Sequence, residues 1–172
     1  MKFYPSSFSL QPLSFILRLQ MTPVVPPEEF WHGVEQFNQQ DFYACHDTLE
    51  ALWIEAFEPQ KRFYQGILQI AVACYHLSNL NWRGAVILLG EGIGRLRDYQ
   101  PVYEEIDVTE LITQSVHLLQ ALQQTGAEQV EAFVQQMAIA PKGQREAIAK
   151  RGDGESEGDA MSRFPKIERV DA

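Results

Sequence analysis

The sequence predicts an all-α fold: a compact bundle of five or six helices in antiparallel hairpins, followed by a disordered C-terminal tail. Apolar residues recur at spacings of three and four through successive segments between residues 23 and 140. No strand-like alternation runs for more than a few residues. Prolines, Asp and Asn stand where helices should start and stop.

The first helix is expected to begin at Pro26-Pro27, because proline at the first helical position lacks only an N–H that would be unpaired anyway. Glu28 and Glu29 follow, at the positive end of the helix dipole. Phe30, Val34 and Phe37 form its buried stripe. Asp41 is a good N-cap for a second helix that ends before Pro59. Phe42, Cys45, Leu49, Leu52 and Ala56 give that helix an apolar face, and His46, Glu50 and Trp53 lie on the neighbouring stripe.

The third helix, from about Pro59 to Leu77, is apolar almost all round, which marks it as the axis of the fold. Its polar stripe after the first turn is Gln65, Gln69 and His76. A fourth helix begins near Asn81. Gly90 and Gly94 share one of its faces, and close approach of another helix is expected there. A phosphate loop is not indicated, because no strand precedes these glycines.

Asp107 with Glu110 three residues on reads as a capping box opening a fifth helix, with Gly126 at its C-terminal end. A last short helix covers residues 128 to 139 and carries Val130, Phe133, Val134 and Met137. From Pro141 onward, stretches such as RGDGESEGDA hold too few apolar residues to offset the entropy of ordering. Residues 141–172 are therefore expected to be disordered, with Phe164 as the one anchor. Residues 1–22 read as an N-terminal extension, upstream of a start at Met21 or serving as a transit segment. The apolar run from Leu13 to Leu17 is broken by Ser14 and is short for a signal-peptide core of ~7–15 residues.

Formal charge is -9 for the whole chain. Met21 to Ala140 holds 5 Lys+Arg against 16 Asp+Glu, or -11. So acidic a body repels phosphate backbones, and nucleic acid is not expected as a partner. No run of apolar residues is long enough to span a membrane. Cys45 and Cys74 are too few for a disulfide framework and read as buried thiols, which suits a cytosolic location.

The second and third helices should pack as a hairpin that brings His46 and Glu50 against Gln65 and Gln69. Asp47 and Trp53 lie beside them and His76 about two turns beyond. Polar groups inside a bundle must be paired, at ~1–3 kcal/mol for each left unpaired. Three readings stay open: a hydrogen-bond network that fixes helix register, a small-molecule or catalytic pocket with Glu50 or His46 as general base, and a metal site from His46, Glu50 and His76. No cofactor motif is present. His32 and His117 read as surface or interface residues.

FNQQDFYACHDTLEALW followed by KRFYQGILQIAVACYHLSNLNWRGAVILLGEGIGRL resembles the domain-of-unknown-function family 309. His46, Glu50, Trp53, Gln65, Gly66, Gln69 and His76 fall at that family's motif positions, while Asp47 stands where Glu is more usual and Asn79 where Gly is. The resemblance implies a compact all-helical domain, and neither activity nor cofactor. Taken together, these readings describe a cytosolic binding or structural module for a protein or small-molecule partner, with homodimerisation through an apolar helix face as an option. The alternative is a hydrolase-like or metal-binding enzyme using His46 and Glu50.

Overall fold

The computed structural model describes residues 26–139 and 164–170. The expected extension over residues 1–22 and residues 141–163 and 171–172 of the tail lie outside them. Six α-helices occur among the described residues. Helix α1 spans Glu28–Asn38 with Pro27 at its N-cap. Helix α2 spans Phe42–Glu55, and the Asp41 carboxylate accepts from the Ala44 N–H at 3.3 Å. Helix α3 spans Gln60–Ser78. Helix α4 spans Trp82–Leu96, capped by the Asn81 side chain through the Gly84 N–H at 3.0 Å. Helix α5 spans Val108–Thr125 and α6 Val130–Ile139.

Helices α1 to α4 form a chain of antiparallel hairpins, and α5 covers the far side of α4. As its all-round apolar pattern predicted, α3 is the axis. Phe63, Ile67, Ile70, Ala71, Ala73, Cys74 and Leu77 are fully buried there. Phe30 and Phe37 from α1, Leu89 and Leu96 from α4 and Leu111 from α5 close around them. Each buried Phe, Ile or Leu among them is worth about 1.5–3 kcal/mol before entropy is charged against it.

The glycine expectation needs correcting. Gly90 and Gly94 face open space; the close approach is at Gly92. A Cβ on Gly92 would lie 2.8 Å from the Gly66 carbonyl oxygen and 2.8 Å from Ile70, and one on Gly66 would lie 2.8 Å from Leu96. Two bare Cα positions therefore set the crossing of α3 and α4.

Between α4 and α5 the chain makes a two-residue antiparallel hairpin, β1 (Val102–Tyr103) and β2 (Ile106–Asp107), which the residue pattern did not foretell. Its turn, Glu104-Glu105, holds both residues at positive φ, 47° and 62°. Such a turn matches strand twist, but it suits Asn and Gly, so two glutamates are strained there.

Asp107 caps α5 by accepting from the Glu110 N–H at 2.8 Å. The reciprocal half of the expected capping box is absent. Glu110 accepts instead from Gln114, and the Asp107 N–H donates to the Glu168 carbonyl. Glu168 belongs to residues 164–170, which pack against the body instead of being disordered. Phe164 does anchor, with its ring 5.0 Å from that of Phe42, and Ile167 is buried as well.

Candidate functional site

The seven polar residues singled out in the sequence lie along α2 and α3, and among the described residues only His46 and Asp47 are hydrogen-bonded to each other. His46 is half-buried, and its Nδ1–H donates to the Asp47 carboxylate beside it at 3.0 Å, which leaves Nε2 as the acceptor. Glu50, one turn on, is half-buried and makes no side-chain hydrogen bond among the described residues. Trp53 carries the Lys61 ammonium 5.8 Å above its ring. Gln65 is half-buried on α3.

Gln69 and His76 turn to α4 instead of α2. The Gln69 amide nitrogen donates to Glu91 at 2.6 Å, and its oxygen accepts from Arg95 Nε at 2.7 Å. One amide thus spans an acid and a base a turn apart. His76 Nδ1 accepts from the Asn81 amide nitrogen at 3.1 Å, because the oxygen of that amide is spent capping α4. This places the neutral imidazole proton on Nε2. The His76 ring packs on bare Gly84, where a Cβ would come within 2.9 Å of it.

The physical reason is helix phase. Gly66, Gln69, Ala73 and His76 follow the spacing of one face, and the bare Gly66–Gly92 crossing draws that face onto α4. Of the expected shared knot, His46 pairs with Asp47 and Gln69 with Glu91 and Arg95, and among the described residues no hydrogen bond joins His46, Glu50, Gln65 and Gln69 to one another. The metal alternative is also corrected. Among the described residues no three His, Cys, Asp or Glu side chains gather so as to hold an ion, so His46, Glu50 and His76 make no joint site. The cysteines are free and buried, and burial pushes the Cys45 thiol up to about 12 and raises that of Cys74 further. Neither is poised as a thiolate.

A concave feature lies elsewhere. A cleft of about 800 Å³ opens between α1, α2 and the first turns of α3. Ala51, Leu52, Ala56 and Tyr64 give it apolar walls, and Phe57, 85% exposed, stands on its lining. Glu29, His32 and Glu55 supply charge and polarity, and among the described residues no Lys or Arg lines it. None of the seven nominated residues is on its walls. His32, expected at the surface, is exposed there with its Nε2 3.0 Å from the Gln36 amide. A faint signal was present: Leu52 and Ala56 sit on the apolar face of α2, yet that face continues past the end of the helix to Phe57.

Behind this wall sits Glu104. Both of its carboxyl oxygens are buried without a hydrogen-bond partner. Burial pushes its carboxyl above the ordinary range. The neighbouring Tyr64 hydroxyl and Gln60 amide pull the other way, though neither completes a well-aligned bond. Gln60 and Tyr64 are shared by the cleft and this carboxyl.

Residues 30–88 match the family model described as Domain of unknown function (DUF309). "Uncharacterized protein YpuF" of Bacillus subtilis (strain 168) is 34% identical over 74 residues, which is 42% of this chain. The chain spans 42% of that relative's length. No solved structure matches the chain. No helix among the described residues is long and apolar enough to cross a membrane.

Proposed function

We propose that this chain, similar over residues 30–88 to the DUF309 family, is a cytosolic ligand-binding module whose site is the α1–α2–α3 cleft. The ligand class is a small amphipathic cation: an apolar body with one amine or guanidinium head. One observation carries the reading, namely that among the described residues an apolar cleft has Glu29 and Glu55 on its walls and no basic side chain. Apolar pockets with a few placed polar groups are the common form of small-molecule sites. An ammonium head reaching those carboxylates makes charge-assisted hydrogen bonds, stronger than neutral ones. The two free, buried thiols suit the reducing cytosol.

The test is ligand-induced thermal stabilisation. Octylammonium should raise the Tm of the native chain by mass action. The shift should shrink sharply in Glu29→Gln/Glu55→Gln, measured against that variant's own ligand-free Tm. Equal shifts in both proteins would contradict the assignment.

A hydrolase-like role for His46 and Glu50 is a second reading, and one observation favours it. Asp47 holds His46 Nδ1–H and leaves Nε2 free to accept a proton, the arrangement of an oriented general base. Ester hydrolysis that survives His46→Gln would dismiss it.

A further inference from the structure

Residues 164–170 meet the body as a bound peptide does. They meet the free edge of β2 through one isolated antiparallel bridge, with Ile106 opposite Arg169. Two ladder bonds hold them, Asp107 N–H to the Glu168 carbonyl at 3.0 Å and Val170 N–H to the Glu105 carbonyl at 2.8 Å. Two side-chain amides read the backbone as well. Asn38, at the end of α1, donates to the Ile167 carbonyl at 2.9 Å and accepts from the Ile167 N–H at 2.8 Å. Gln114 on α5 accepts from the Lys166 N–H at 2.7 Å.

Side chains alternate as a strand requires. Pro165 and Ile167 are buried, whereas Lys166 and Glu168 are exposed. Phe164 packs on Phe42. The Arg169 guanidinium lies 4.3 Å over the Trp31 ring and pairs with Glu105. Main-chain bonds of this kind give affinity, and the pockets at alternate positions give specificity.

We infer that this groove, built from Trp31, Asn38, Phe42, Gln114 and the β2 edge, is a recognition site for an extended peptide of another protein. The peptide carries the pattern Phe-Pro-x-Ile-x-Arg, and residues 164–170 are its resident, displaceable occupant. The resident segment defines the partner's chemistry pocket by pocket: an aromatic ring for Phe42, an aliphatic side chain between the Asn38 clamp and the core, and a cation for Trp31 and Glu105. The acidic body favours that cation. This site is independent of the cleft, and its test uses a different ligand.

The experiment uses the full chain carrying Ile167→Asp, which vacates the groove, and the synthetic peptide SRFPKIERVDA. Calorimetry should show saturable binding to the variant, none with a scrambled peptide, and binding to the native chain weaker on the order of 100-fold, because the tethered segment competes. A folded variant that ignores the peptide would overturn the inference. Native mass spectrometry supplies a second arm. A dimer of the native chain that is lost in Ile167→Asp would assign the groove to a second copy and overturn the partner assignment. If the variant unfolds, amide exchange of the native chain decides. Exchange of Ile167 and Val170 amides well ahead of Ile70 supports a displaceable segment, and exchange at the rate of Ile70 overturns it.

Discussion

Gln69 on α3 and Arg95 on α4 are joined by a 2.7 Å hydrogen bond, and the same amide holds Glu91. A neutral side chain thereby keeps an acid and a base of one helix in fixed places, a turn apart. Gln69→Ala removes both bonds at once. It should cost about 1–3 kcal/mol, since each bond involves a charged group and both are partly open to solvent. Urea unfolding measures this as a lower midpoint with an unchanged slope.

The glycines of α4 make a signed prediction. Gly92→Ala drives a methyl group into the Gly66 carbonyl and Ile70, and should destabilise by ~1–3 kcal/mol. Gly90→Ala and Gly94→Ala meet nothing within 4 Å and should each stabilise by ~0.5–1 kcal/mol. Thermal melts of the three variants would show the opposite signs. A uniform sign would mean the α3–α4 crossing is elsewhere.

Glu104 predicts a pH dependence. Its folded-state carboxyl titrates above the ordinary glutamate value, so the folded chain holds that proton more tightly than the unfolded one. Its contribution to stability is therefore greatest at acid pH. It falls as pH rises from the unfolded value through the raised folded one. Glu104→Gln should raise Tm at neutral pH and flatten the Tm-versus-pH curve on the alkaline side of pH ~4.5. An unchanged curve would show that Glu104 is not held as described.

Glu50→Gln separates the readings of α2. Glu50 has no hydrogen-bond partner among the described residues, so the change should alter stability by less than ~0.5 kcal/mol. Under the binding-module reading, octylammonium binding should also be unaffected, because Glu50 is not on the cleft wall. Loss of a hydrolytic activity without loss of stability would favour the enzyme reading.

Local chemistry made much of the fold legible. Asp41, Asn81 and Asp107 stand where helices start, Gly126 closes α5, and the apolar circumference of Phe63 to Leu77 marks the central helix. Signals that depend on distant partners were not legible. Gly92 and Gly90 are indistinguishable by type, and only the phase of α3 decides which meets a neighbour. Residues 164–170 look unable to fold because their partners, Asn38, Phe42 and Glu105, lie far back in the chain. The half-formed capping box has the same origin, since the N–H that Glu110 would have taken is claimed by Glu168. For the polar site, sequence spacing located the residues on α2 and α3 but could not assign their partners. It gave no sign of Glu104, whose burial comes from a strained two-residue turn.

The most direct test of the binding-module account is calorimetric titration of the native chain with octylammonium and, in parallel, with octanoate. The account predicts saturable binding of the cation, at least tenfold weaker in Glu29→Gln/Glu55→Gln if a surplus of about 1.4 kcal/mol comes from the two carboxylates. It predicts no comparable binding of the anion. Equal binding of both, or of neither, would contradict it.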